Sequence, residues 1–287
     1  MSKFNKSITF VIVCFNSSSV IEKCINSINR NIKIIIIENS NNKLIKKYLE
    51  KKFLNVKVFL SKKNLGYAAG NNLGISKVKT KYAFILNPDA ILKKDTLKEI
   101  YKAVIVLKDN FSIIAPNLKK NYGYFSKTPN NLNKKILRVD YVIGFAMFLN
   151  LKNIKLKKIF DKNFFLFLEE IDLCRRIKNF DEKIFIIKKS KIYHNARKAS
   201  GESFHIELCR NWHWMWSLFY YNLKHFGLIT AYKVTFYKFI SSFLKMLVSI
   251  LLFNKKKYLI YKYRFLGLFN AYKGKTSWLR PWQENNF

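Results

Sequence analysis

Carboxylates are scarce in this chain: 17 Asp and Glu stand against 54 Lys and Arg, a net charge of +37. Such an excess draws a protein to polyanions, an anionic membrane surface among them. No Arg-rich or Gly-rich tract, zinc-finger spacing or recognition-helix pattern accompanies the charge, so no specific nucleic-acid partner is expected. Lys, Ile and Asn are rich throughout, as an AT-rich coding bias would also make them. Cysteine is sparse as well. Cys14, Cys24, Cys174 and Cys209 lie far apart with no CxxC pair, which favours reduced thiols in a cytoplasmic compartment over a disulfide framework or a zinc site. The opening MSKFNKSITFVIVCFNSS has a short apolar core and no small-residue cleavage site, and reads as a first strand and not a signal peptide. No internal repeat is visible. The chain is nonetheless 49% hydrophobic and 16% aromatic, which excludes general disorder. Its 287 residues suit one large domain, or one domain plus an appendage.

Ile8–Phe15 is apolar on both faces, as buried parallel strands are. Asn16 to Ser19 supplies an N-cap for a helix over Val20–Asn29. Ile32–Ile37, Val56–Leu60 and Lys81–Leu86 read as strands, and Leu44–Lys52, Ala68–Val78 and Thr96–Leu107 as helices. A short strand follows at Ile113–Ala115, then a polar loop over 117–138 and a strand over Val139–Leu149. Gly144, in the middle of that strand, marks a bulge or a close approach by another group. A helix inside Phe160–Asn179, a strand at Ile184–Ile187 and a loop over Ile192–Ser200 complete the alternation. The pattern predicts an α/β fold with a mostly parallel central sheet.

Past that point the character changes, and the expected division is an α/β domain over 1–205 and a basic, aromatic-rich helical segment over 206–287. Residues 208–283 hold 13 Lys and Arg and no Asp or Glu. In RNWHWMWSLFYYNLKHFG, Trp and Tyr crowd as they do at membrane–water interfaces. Within Val234–Phe253, Lys238, Ser241, Ser242, Lys245 and Ser249 form a narrow polar stripe on an otherwise apolar helix. A spanning helix needs about 20 largely apolar residues, and two lysines in this window are costly for one. A helix lying in the membrane surface fits. The alternative is a core helix of the appendage with its stripe facing water.

Candidate chemistry centres on KYAFILNPDA, residues 81–90. Pro88 lacks an N–H and holds Asn87 extended, so the strand ends there. Asp89 then lies just past a strand's carboxyl end, where open α/β sheets bind ligands. It is placed to hold a divalent cation, although Asn-Pro-Asp is also ordinary turn chemistry. Glu169, Glu170 and Asp172 gather three of the few acids at the start of a helix, where its dipole favours them. Mutual repulsion raises the pKa of at least one member of such a cluster, which suits a general base.

VIVCFNSS, ENS, KNLGYAAGNNLG, LNPDA, FLFLEEIDLCRR and YHNARKAS follow one another over about residues 7–200. In order and spacing they resemble the family 2 glycosyltransferases, and within them the rhamnosyltransferase-like branch of bacterial polysaccharide pathways. The resemblance implies a GT-A fold, a nucleotide-diphospho-sugar donor, a divalent metal (Mn2+ or Mg2+) and inversion at the anomeric carbon. It implies metal ligands at Asp89 and His194, and donor contacts at Phe15, Asn16, Glu38, Asn64, Gly66, Gly70, Asn71 and Asn87. The general base falls to Glu170 or Glu169, with Gly144, Asp172 and Arg175 orienting the acceptor or bracing the helix. Three positions depart from the family pattern: Asn87, Glu38 and Glu170 each stand where it usually has Asp. The expected acceptor is lipid-linked or a growing glycan of the cell envelope, with rhamnose a candidate sugar. The enzyme would work peripherally on the cytoplasmic face of the cell membrane. The departures also admit a membrane- or polyanion-binding protein with a decayed transferase site.

Overall fold

The computed structural model describes residues 1–118, 135–156, 158–194, 199–200 and 203–281. Most of the polar loop expected over 117–138, residues 195–198 of the YHNARKAS stretch, and 282–287 lie outside the described residues. The chain forms two compact units, one of residues 1–161 and 169–201, the other of 162–168 and 202–287.

The first unit runs α1 (Ser2–Lys6), β1 (Ile8–Cys14), α2 (Ser18–Asn26), β2 (Lys33–Glu38), α3 (Lys43–Lys52), β3 (Val56–Leu60), α4 (Gly66–Ile75), β4 (Tyr82–Leu86) and β5 (Ala90–Leu92). It continues with α5 (Thr96–Leu107), β6 (Ile113–Leu118), β7 (Ile136–Arg138), β8 (Ala146–Asn150), α6 (Glu169–Lys178) and β9 (Ile184–His194). Among the described residues the strands form one sheet in the order β3-β2-β1-β4-β8-β6-β9-β5, with β7 also on β9. The first four pair in parallel. β8 runs antiparallel between β4 and β6. The β-branched runs that nucleate β1 and β2 bury Ile8, Ile12, Ile34 and Ile36 in the core. Because β1, β2 and β4 are parallel, their carboxyl ends share one edge of the sheet.

Four elements differ from the sequence reading. Ser2–Lys6 is a short helix ahead of the first strand. β6 continues through Pro116, and the sheet absorbs the proline with a register shift between Pro116 and Asn117. Residues 139–145 are not strand, so Gly144 lies two residues before β8 instead of in the middle of a strand. β9 extends to His194, through residues expected as a loop, because Lys189, Lys191 and Tyr193 alternate with the buried Ser190 and Ile192. The surface-facing lysines concealed a period-2 strand.

The glycines of KNLGYAAGNNLG bring α4 close to β1. A Cβ on Gly74 would sit 2.3 Å from Val11 Cγ1, and one on Gly70 2.9 Å from Val13 Cγ1.

The second unit contains residues 162–168 and two helices, α7 (Phe204–Leu251) and α8 (Lys255–Tyr272). Gly227, at φ 81° and ψ 173°, breaks α7. The tryptophan-rich stretch, which the sequence suggested as an interface belt, is divided: Trp214 is exposed, while its neighbours build this unit's core. Trp212, Met215, Trp216 and Phe219 are buried with Leu268 and Ala271. Gly267 packs against the Trp212 carbonyl, which a Cβ would approach to 2.4 Å. His213 is buried between the Leu279 carbonyl (2.8 Å) and the Ser277 hydroxyl (3.1 Å), and desolvation pushes its pKa down to about 3. Residues 162–168, expected in the first domain, are tied here by Ser217 Oγ donating to the Leu166 carbonyl (2.8 Å).

Gly74→Ala should lower the first unit's stability by about 1–3 kcal/mol through overpacking against Val11. A chemical-denaturation midpoint equal to wild type would contradict this.

Candidate functional site

β4 ends at Leu86, opposite Ala146 of β8. Asn87 N–H continues this pairing by donating to the Phe145 carbonyl at 2.8 Å. The turn closes with Ala90 N–H on the Asn87 carbonyl (3.1 Å), and the chain re-enters the sheet as β5. Ala90 lies opposite His194 in the antiparallel β5–β9 pair, so two residues distant in sequence meet. His194 Nε2 is 3.3 Å from Asp89 Oδ1, and its ring stacks on Phe145 with centroids 4.7 Å apart. Asp89 is only 3% exposed, and neither carboxylate oxygen has a hydrogen-bond partner among the described residues. Buried carboxylates are normally saturated with donors. An unsaturated one beside an imidazole nitrogen fits a hard or borderline divalent cation that keeps its other positions for phosphate and water. Among the described residues no three His, Cys, Asp or Glu gather as a metal-binding group, so Asp89 and His194 are the protein donors to be considered. The nearby Cys24 thiol donates to the Asn87 carbonyl at 3.5 Å, and burial together with Asp89 pushes its pKa up, so it stays protonated.

Gly144 precedes Phe145 and faces the acidic cluster. Its backbone lies close enough to the Glu170 carboxyl to lower that group's pKa, and its carbonyl accepts from the Tyr67 hydroxyl. A Cβ here would lie 3.1 Å from Tyr67 Oη and 3.4 Å from Glu170 Cβ, the close approach that a glycine permits. Glu169 is buried, and its Oε2 has no hydrogen-bond partner among the described residues. Burial, and then the Glu170 charge, raises its pKa well above the usual carboxylate range. Burial also raises Glu170, opposed by backbone N–H donors including Gly144 and Ile171. Phe167 and Leu168, just before α6, have φ of 73° and 66°. A left-handed backbone at two bulky residues is strained, and strain of this kind concentrates at functional sites.

Glu38 ends β2, opposite Cys14 of β1. It accepts from the Ser40 N–H (2.7 Å) and the Ser40 hydroxyl, while burial raises its pKa. Cys14 feels both Glu38 and Cys24, and Cys24 feels Asp89, so these groups share one edge. Phe15 N–H donates to Ser17 Oγ (3.1 Å), and Asn16 turns the chain at φ 52°. Asn64 Oδ1 accepts from Gly66 N–H (2.9 Å), and Gly66 has φ 73°. Asn71 is buried, donating to the Tyr67 carbonyl (3.0 Å) with Oδ1 unpartnered among the described residues. Gly70 faces the Val13 and Asn39 side chains, so its small size serves helix–strand packing. Asp172 is buried and accepts from Arg176 Nε (2.8 Å); the same guanidinium reaches the Ile159 carbonyl (2.5 Å). Asp172 is therefore a brace within the unit, and Arg175 is half-buried beside it.

Three residues outside the sequence reading help to build this edge. Tyr67 carried a signal, since it directly follows the turn glycine Gly66. Asn39 sits in the ENS motif and ties β2 to α4 by donating to the Gly66 carbonyl (3.2 Å). Phe145, one more aromatic in an apolar run, carried none.

This architecture is the GT-A glycosyltransferase fold. A structure of GalNAc-T7 with UDP, GalNAc and Mn2+ superimposes with a TM-score of 0.56 at 13% identity, over 66% of this chain and 43% of that one. S. aureus TarS 1-349 superimposes with a TM-score of 0.53 at 13% identity, over 94% and 92% of the two chains. The model of Glycosyl transferase family 2 matches residues 9–166, and the chain belongs to that family. The low-salt glycan biosynthesis hexosyltransferase Agl10 of Haloferax volcanii is 23% identical over 190 residues, covering 59% of this chain and 61% of the relative. The chain thus matches about three fifths of that relative's length.

The raised pKa of Glu169 has a stability consequence with a definite sign. Its carboxyl opposes folding little below the ordinary value of 4.5, and stability is lost as the pH rises through the raised folded value. Glu169→Gln should therefore raise the denaturation midpoint at pH 8 and change it little at pH 4. An equal shift at both pH values would contradict the assignment.

Proposed function

We propose that this chain is an inverting, metal-dependent glycosyltransferase. It moves one sugar, with rhamnose a candidate, from a nucleotide-diphosphate donor to a lipid-linked or polysaccharide acceptor of the cell envelope. The observation that carries the reading is the meeting of two groups on Gly144–Phe145: the unpartnered Asp89 beside His194, and the buried Glu169–Glu170 pair. Asp89 and His194 are the residues to hold Mn2+ or Mg2+, and such a cation neutralises the charge developing on a departing diphosphate.

Glu38, with Phe15 and Asn16, is assigned to the base, since a carboxylate can accept from the N3–H of a pyrimidine. Asn64, Gly66 and Asn71 are assigned to the ribose and diphosphate, with Gly70 keeping α4 against the sheet. Asn87 positions the turn through its backbone. Glu170, beside Gly144, takes the proton from the acceptor hydroxyl as that oxygen attacks the anomeric carbon opposite the diphosphate. A base with a raised pKa suits this transfer near neutral pH. Glu169, whose proton is held more firmly, stands beside it as the alternative base. Asp172 braces α6, which leaves Arg175 to orient the acceptor. Residues 1–205 are the catalytic part, and 206–287 hold it peripherally against an anionic membrane on the cytoplasmic side.

The test is turnover of a panel of nucleotide sugars with Mn2+. One donor should be used, with activity lost on chelation and in Asp89→Asn. Glu170→Gln should lower kcat by about 10²–10⁴-fold while leaving donor binding nearly intact. If no donor is bound or cleaved and Asp89→Asn behaves as wild type, the reading fails.

A further inference from the structure

The second half of α7 is built inside out. Ala231, Thr235, Ser242 and Ser249 are buried along one seam, at spacings of four and seven residues. Around that seam Thr235 meets the Tyr272 hydroxyl (2.9 Å) and Phe239 stacks on Phe265 of α8. The hydroxyls of Thr235, Ser242 and Ser249 donate to carbonyls one turn back in their own helix, at 2.6–2.7 Å, and so need no water. The stripe that the sequence offered to water, apart from its lysines, therefore turns inward. The large apolar side chains turn outward: Tyr237, Leu244, Leu247, Val248 and Leu251 are all exposed. In water, helix pairs form by burying such residues. Small residues at the seam with apolar ones outside is the arrangement helices adopt in lipid.

The end of the helix points the same way. Leu251, Leu252 and Phe253 are exposed at the α7–α8 turn, Phe253 at 96%. Lys255, Lys256 and Lys257 follow at once, with no acid in the first turn of α8. A second copy of this chain would set like charges against one another at this face. A surface that is apolar, flanked by lysines and free of acid over 208–283 is complementary to one class of partner, an anionic bilayer. α7 is long and apolar enough to cross a membrane, but Lys233, Lys238 and Lys245 are spread along this half and disfavour a span.

We infer that residues 234–253 lie in the plane of an anionic bilayer, with Leu251, Leu252 and Phe253 among the acyl chains and Lys255, Lys256 and Lys257 at the phosphates. This rests on the membrane-facing assignment of 206–287 above, and names the element that makes the contact. Flotation of the full chain with vesicles tests it without any sugar chemistry. The protein should float with phosphatidylglycerol-containing vesicles and far less with pure phosphatidylcholine. Leu244→Ser/Leu251→Ser/Phe253→Ser, all at exposed positions, should leave the melting temperature unchanged and weaken vesicle binding by about tenfold or more. Lys255→Gln/Lys256→Gln/Lys257→Gln should weaken binding to anionic vesicles alone, by about a hundredfold at low salt. Wild type that does not float, a serine variant that floats as well as wild type, or a dimer in light scattering that only the serine variant dissociates would each overturn the inference. Donor cleavage in lipid-free buffer reads the transferase assignment separately, so the two failures are distinguishable.

Discussion

The first unit's chemistry depends on two peptide groups, those of Gly144 and Phe145. Phe145 accepts from the Asn87 N–H and offers its ring to His194, which fixes the turn carrying Asp89 and the imidazole beside it. Gly144 lies against Glu170, and its carbonyl accepts from the Tyr67 hydroxyl. The turn dipeptide ahead of β8 thus has on one side a carboxylate with no hydrogen-bond partner among the described residues, and on the other a general-base candidate. A Cβ on Gly144 would press on Tyr67 Oη at 3.1 Å, so glycine leaves that hydroxyl its place beside Glu170. Phe145 supplies an aromatic face that orients a histidine without using its nitrogens.

The charge balance makes the placement of the acids informative. Among the described residues, acids outside this edge such as Glu22 and Asp109 serve part-exposed ion pairs with Lys52 and Lys81, which contribute little to stability. Among the described residues, Asp89, Glu38 and Glu169 are buried without a Lys or Arg partner, in a chain with an excess of both. Burying a carboxylate unpaired works against folding.

Much of this was legible in the sequence, for reasons that can be stated residue by residue. The Ile-rich runs of β1 and β2 and the stop at Pro88 located Asp89 past the fourth strand, because buried parallel strands and proline both leave strong local marks. β5 has only three residues and left none, so the strand pairing behind the meeting of His194 and Asp89 had no local mark, and only the family resemblance put the two together. The alternating lysines of β9 disguised a strand as a loop. The aromatic-rich start of α7 was ambiguous between core and interface because composition does not say which face meets a partner. In the fold Trp212 and Trp216 are core, and the serines of the second half turn towards α8. Only the helix pairing, a tertiary fact, decided both.

The central claim is that the Gly144–Phe145 segment holds a cation site and a base at the same edge. The most direct measurement is a crystal structure of the full chain with Mn2+ and a nucleoside diphosphate, with the metal located by anomalous scattering at the manganese edge. The account predicts a manganese peak in coordination contact with the Asp89 carboxylate and His194 Nε2, and the Glu170 carboxylate beside Gly144 at the same edge. A manganese–diphosphate complex bound elsewhere on the protein, with Asp89 and His194 untouched by it, would contradict the account.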